Sequence, residues 1–248
     1  IRDRSWIAPL SVLLFMAVGI LELRQPLSDL SLPFLRRWSL NFSLWVLVSL
    51  LSTVAFRTSS IALAVSRPST FSFLPLLLIH DLIMWISHYG MHNLGPFWIW
   101  HAVHHSDPEM DASTSFRFHP FEGLWDQSIL LGLVYFLQPS VNAVIAYQLF
   151  AIASSFFVHA NMALPARLDA ALAWVFMTPG LHRSHHSIEM DSQKSNYGVT
   201  LTIWDRLFRT LKRSPNPTTL GIDSVSPSST LQPAFLLAKL PWREWKKL

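Results

Sequence analysis

Two stretches of the chain read His-x-x-His-His: His101, His104 and His105, then His182, His185 and His186. An upstream His88-x-x-x-His92 adds two more rings. On a helix, residues three and four apart share a face, so each group can aim its imidazoles at one point. Neutral imidazole is the commonest side-chain ligand for transition metals and suits iron, zinc, copper and nickel. The spacing therefore predicts a metal site. A structural zinc needs four ligands and a catalytic zinc three plus water. Eight or more histidines with almost no carboxylates suit two metals instead. Zinc has no redox chemistry, so iron is the expected metal for a site that activates O2. The two clusters also echo each other beyond the histidines. Each is followed by Ser and then by Glu-Met-Asp, at 109–111 and 189–191, which predicts two similar half-sites facing each other to hold the two metals.

The elements that must carry these residues are those of a membrane protein. Of the 248 residues 51% are hydrophobic and 14% charged, against roughly 25% charged in soluble proteins. Apolar stretches at about 6–23, 39–56 and 71–87 approach the ~20 residues of a membrane-crossing helix. The first reads as a retained anchor rather than a cleaved leader. A longer one, 127–158, is broken near its middle by Pro139 and Ser140 and is expected to form a helical hairpin of two short spans or a re-entrant pair. The fold expected is all-α: an integral-membrane helical bundle of about four spans with a histidine-rich metal-binding cap facing the cytosol. Three regions are expected: N-terminal anchor helices over 1–70, the metal-binding domain over 71–213, and a loop with a basic amphipathic tail over 214–248.

The net charge is +4 and the cysteine count is zero. Without cysteine there is no disulfide, no Cys-ligated zinc, no iron–sulfur cluster and no thiolate haem ligand. The basic residues gather late in the chain among Trp204, Phe208, Trp242 and Trp245, a mixture suited to anionic lipid headgroups and not to nucleic acid. If the third span ends at the cytosol, every cluster falls on that face, and the basic tail supports the orientation.

The chain resembles the fatty acid hydroxylase/sterol desaturase superfamily of membrane-bound di-iron enzymes. The matching residues are Asp81 with Trp85, His88 and His92; His101-Ala-Val-His-His; Phe116-Arg-Phe-His-Pro; His159-Ala-Asn; His182-Arg-Ser-His-His; Asn196-Tyr-Gly; and Trp204-Asp-Arg-Leu-Phe. They cover about 80–213 in the family's order. One departure is Arg209, where the resemblance leads one to expect Gly.

The resemblance implies that His88, His92, His101, His104, His105, His182, His185 and His186 ligate metal, with His159 as an additional ligand. Asp81, Asn161 and Asp205 are expected to orient the ligands, because a ligating imidazole usually donates its other N–H to a carboxylate or carbonyl. Glu109, Asp111, Glu189 and Asp191 are open to the same role. His119 fits a tenth ligand, an acid–base group or a structural donor. His80, two helical turns before His88, reads as a hydrogen-bonded interior histidine. The activity implied is O2-dependent hydroxylation or desaturation of a lipid such as a sterol or fatty acyl chain. It would use two iron ions, O2 and an external electron donor of cytochrome b5-like or ferredoxin-like type, in a bacterial inner membrane or the endoplasmic reticulum. A membrane metal transporter or metal-binding protein is the competing reading; it would place His and Asp along the middle of its spans.

Overall fold

The computed structural model describes residues 7–66, 71–213, 219–223 and 225–245. Among these the fold is all-α, with only isolated β-bridges between loops. The helices are α1 (Ile7–Arg24), α2 (Phe34–Phe56), α3 (Ser60–Val65), α4 (Phe73–Asn93), α5 (Gly95–His105), α6 (Pro120–Leu137), α7 (Val141–His159), α8 (Ala166–Leu172), α9 (Pro179–His185), α10 (Met190–Gln193), α11 (Ile203–Leu207) and α12 (Leu240–Trp245).

Among the described residues three helices, α2, α4 and α7, are long and apolar enough to cross a membrane. The expected count of about four spans is not confirmed. The expected hairpin forms: α6 ends at Gln138 in the left-handed conformation, and the Ser140 side chain caps α7 by accepting from the Ala143 amide. Its first arm carries Glu122 and Asp126, and α6 is not among the three helices long and apolar enough to cross a membrane. The stretch at 6–23 is helical as α1 from Ile7 onward.

Helix α4 shows how sequence places the site. Leu77, His80, Asp81, Trp85, His88, Met91 and His92 are all buried and recur at intervals of three or four, which puts them on one face. The remaining face carries exposed Leu74, Ile79 and Ile86. Behind α5, Ala102 and Val103 pack with Leu40 and Leu44 of α2 and with Leu236 and Leu240. The region beyond 213, expected as a loop and tail, therefore contributes to the core. It returns as the π-helical segment Phe235–Lys239 and α12, and Glu244 accepts a hydrogen bond from Trp98 Nε1 at 3.0 Å. Residues 214–218, 224 and 246–248 of that region lie outside the described residues.

A second core joins α1, α2 and α7 through aromatic edges. The Phe15 ring lies 4.9 Å from Trp38 and 5.2 Å from Phe156, centroid to centroid, with both pairs edge-on. The loop between α5 and α6 is held by two fully buried arginines. Arg37 pairs with Asp107 and Asp111, and Arg117 donates to the Val103 carbonyl, Ser106 Oγ, Asn41 Oδ1 and the Thr230 carbonyl.

Candidate metal centre

The nine histidines of the implied ligand set meet in one buried cluster, in two groups. His88, His92, His101, His105 and His185 form one; His104, His159, His182 and His186 form the other. Within each group one ring nitrogen per residue lies within 4.8 Å of all the others. Each His-x-x-His-His motif divides between the groups. His101 and His105, four apart, point to the first, and His104 points to the second. His182 and His186 point to the second, and His185 to the first. The expectation of one half-site per motif is therefore corrected: the i, i+4 pair of each motif faces one group and its third ring the other, because three and four residues leave a helix at different angles.

The ring nitrogens show what the cluster is built to hold. His88 Nδ1 lies 2.8 Å from the Tyr197 carbonyl oxygen and His185 Nδ1 lies 2.7 Å from that of Ser195. A carbonyl only accepts, so both rings carry their proton on Nδ1 and leave Nε2 as a bare lone pair. Those two Nε2 atoms are 3.0 Å apart. His104 Nδ1 and His159 Nδ1 likewise face the Arg117 and Ser155 carbonyls, at 3.2 and 2.7 Å, with their Nε2 atoms 3.1 Å apart. His101 gives Nδ1 to Glu122 Oε1 at 2.6 Å and sets its Nε2 3.0 Å from that of His88. Two lone pairs at such distances repel each other unless a cation lies between them. Nitrogens about 2.1 Å from one ion and at right angles across it would lie about 3.0 Å apart. The donor set fits transition-metal ions.

Burial keeps the rings neutral. It pushes His182 and His185 well below the ordinary histidine range, with help from neighbouring imidazoles, and brings His101 down to about 3. His105, with neither nitrogen hydrogen-bonded, is pushed down in the same way.

Asp81, Asn161 and Asp205, expected to orient the ligands, touch no imidazole. Asp81 accepts from the amides of Thr200 and Leu201 and from Trp204 Nε1. Asp205 accepts from the amides of Tyr197 and Gly198, at 2.9 and 2.7 Å, and from Trp85 Nε1 and Thr210 Oγ1. Asn161 ties the end of α7 to Ser28. These residues hold the backbone that presents carbonyls and rings, one link further out than expected. Asp205 fixes Tyr197, and the Tyr197 carbonyl fixes His88. His119 also stands apart. It caps α6 by accepting from the Phe121 amide at 3.2 Å, points Nε2 toward the Leu237 carbonyl, and stacks on Trp100. Glu109 and Asp111 serve the α1–α2 loop and Arg37, and Asp191 pairs with Lys212.

Sequence reasoning passed over Glu122 and Arg117. The signal for Glu122 was an acid in an otherwise apolar helix, which is expensive unless partnered. Arg117 lay inside a quoted motif, but only its histidine drew attention.

A cavity of about 860 Å³ with mostly apolar walls opens among α1, α2, α4, α6 and α7. A smaller one of about 90 Å³ lies against His88, His101, His104, His159 and His182. Met84, Phe118, Asp126 and Ser155 line both, so the large cavity runs up to the histidine cluster.

Fold and site together define a helical membrane protein with nine buried histidines, in two groups that could each hold a metal ion, at the end of an apolar chamber. The chain belongs to the fatty acid hydroxylase family, whose model matches residues 73–210. It is similar to alkylglycerol monooxygenase of Caenorhabditis elegans, at 27% identity over 70% of this chain and 34% of the relative. It is similar to ornithine lipid hydroxylase OlsE of Rhizobium tropici, at 29% identity over 62% and 46%. Human alkylglycerol monooxygenase matches at 27% identity over 59% and 31%. The chain thus spans less than half the length of each of these relatives. No solved structure matches it.

Proposed function

We propose that this chain is an O2-dependent, non-haem di-iron lipid hydroxylase. In this reading His88, His92, His101, His105 and His185 hold one iron, and His104, His159, His182 and His186 hold the other. The observation that carries it is the set of facing Nε2 lone pairs at the inner end of an apolar cavity. Two irons held there would supply the redox chemistry that lets O2 attack an unactivated C–H bond.

The protein's own contributions follow from its geometry. The carbonyls of Tyr197, Ser195, Arg117 and Ser155, with Glu122, fix the tautomers and angles of five rings. The chamber walls, among them Phe15, Phe42, Phe116 and Phe156, bind a hydrocarbon chain and exclude water from the reacting carbon. Met84 and Phe118, shared by both cavities, border the passage through which that carbon reaches the centre.

Hydroxylation is favoured over desaturation because the named relatives are a monooxygenase and a hydroxylase. The metal-transport reading is disfavoured because the histidine cluster terminates an apolar chamber, where an ion path would need polar groups throughout. Electrons come from a separate cytochrome b5-like or ferredoxin-like donor. The centre faces the cytosol of a bacterial inner membrane or of the endoplasmic reticulum.

Metal analysis of the purified protein, with lipid mass spectrometry of expressing membranes under labelled O2, tests the proposal. Two irons per chain and a lipid gaining one labelled oxygen are expected, both lost in His185→Ala. Zinc at full occupancy, or labelled product undiminished in His185→Ala, would overturn it.

A further inference from the structure

The large chamber is walled by five helices but is not closed. Helix α1 packs on α7, α7 on α4, α4 on α6 and α6 on α2, which covers four sides of the ring. The fifth side, between α1 and α2, is bridged by rings at one level. There Phe15 meets Trp38 and Phe42 edge-on, at 4.9 and 5.6 Å between centroids. Of the residues that line the chamber, only Val12, Met16 and Trp45 are exposed, at 60%, 53% and 47%. Val12 and Met16 are four apart on α1 and share a face, and Trp45 is on α2. Residues that both line a cavity and reach the outside mark its mouth. The mouth therefore lies between α1 and α2.

The depth of the mouth says what lies outside it. Both helices are tied at their loop-side ends: Glu22 of α1 accepts from the Ala112 and Asn161 amides, and Arg37 of α2 pairs with Asp107 and Asp111. Val12 is ten residues from Glu22 and Trp45 eight from Arg37, about 15 and 12 Å along their helices, so the two sit at similar depth. Helix α2 is one of those long and apolar enough to cross a membrane, and Leu13, Val46 and Leu50 beside the mouth are apolar and exposed. An apolar rim at that depth faces bilayer hydrocarbon. Trp45 stands edge-on against Phe116 of the chamber wall, 5.7 Å between centroids, and so links the rim to the interior. We propose that the slot between α1 and α2 is a lateral portal through which a lipid chain passes from the bilayer into the chamber, with Val12, Met16 and Trp45 as its gate. The inference rests on the reading of the chamber as the lipid site and adds the route: substrate arrives sideways from the membrane and not from water. Gate residues set how fast a chain enters and leaves; wall residues set how tightly it is held.

The test separates rate from occupancy, without turnover. The full chain in phosphatidylcholine nanodiscs, free of O2, is mixed rapidly with all-trans-parinaric acid, a straight fluorescent fatty acid. A chain held in the protein tumbles slowly and one in fluid bilayer quickly. The slow part of the anisotropy, less that of protein-free discs, therefore gives occupancy, and its time course gives the rate. Release is followed after adding excess empty vesicles. Val12→Trp and Met16→Trp, which fill the mouth, are expected to slow uptake and release together about tenfold at unchanged final occupancy. Trp45→Ala, which widens it, is expected to speed both. Leu13→Trp, on the same helix but outside the chamber, should match the wild type. Wild-type rates in both filled variants would overturn the portal and leave the proposed function standing. So would altered occupancy with release unchanged, which marks a wall and not a gate, and so would slower exchange in Trp45→Ala. A wild type that holds no parinarate beyond protein-free discs would overturn both, because the chamber would then take no chain.

Discussion

Among the described residues Glu122 is the one carboxylate that touches a ring of the histidine cluster, and its removal makes a selective prediction. Its Oε1 lies 2.6 Å from His101 Nδ1 and both groups are buried; burial raises the Glu122 carboxyl to about 8, and metal ions held beside it would return it to the charged form and make the bond charge-assisted. A hydrogen bond to a charged partner contributes about 1.5–3 kcal/mol and a neutral one about 1 kcal/mol. Glu122→Gln keeps an acceptor of similar shape, so it should lose about 1.4 kcal/mol, a tenfold weakening of metal binding. Glu122→Ala strands the His101 N–H in a buried site and should approach the hundredfold end of the range seen for such partners. Because His101 belongs to the five-ring group, only one of the two metal equivalents should weaken. The assay is an anaerobic Fe(II) titration of the metal-free protein against a competing chelator, with Asp191→Asn as control. Asp191 sits at the surface against Lys212 and should leave both equivalents alone. If both equivalents weaken together in Glu122→Gln, or if neither moves in Glu122→Ala, the division into five- and four-ring sites is wrong.

Two further substitutions probe the scaffold. A Cβ on Gly198 would sit 2.4 Å from the Leu201 carbonyl oxygen and 2.8 Å from Asp205 Oδ2, so Gly198→Ala should displace the segment that presents the Tyr197 carbonyl to His88. The same chelator titration should show the five-ring equivalent weakened, and unchanged affinity would mean that Asp205 and Tyr197 do not transmit to the ring. Arg209 adopts φ +60° at an exposed turn, a conformation that disfavours side chains, so Arg209→Gly should stabilise the protein by about 1 kcal/mol. Thermal melting in detergent checks this, and a lower melting temperature would show that the arginine makes a compensating contact.

Much of the centre was legible because its spacing is helical. The rings at 88 and 92, at 101, 104 and 105, and at 182, 185 and 186 sit at helical intervals, and the sequence interval alone set their faces. His159 was legible only by resemblance, since a single histidine at the end of an apolar helix has no spacing to read. The partition into five and four rings was not legible. It depends on how α5 and α9 are docked against α4 and α7, which is a tertiary fact. What the tail packs against was not legible for a related reason. Leu236, Leu240 and Glu244 look like a short amphipathic end until the bare back of α5 is known. The left-handed turn at Arg209 was anticipated only as a place where glycine was missing.

The position of the acids follows from the charge they surround. Nine neutral imidazoles would leave two metal ions, held as proposed, with their full positive charge inside an apolar helical bundle, and that charge would need negative groups nearby without their becoming ligands. The structure meets this at one remove. Glu122 acts through the His101 ring. Asp205 acts through the Tyr197 amide and then its carbonyl onto His88. Asp81 holds the neighbouring 200–204 segment by three donors. A carboxylate bound directly would neutralise a metal ion and lower its appetite for electrons. One held a bond away steadies the ring and leaves the ion's charge in place. Asp81 on α4 and Glu122 on α6, expensive as isolated residues in a bilayer, are explained by this arrangement.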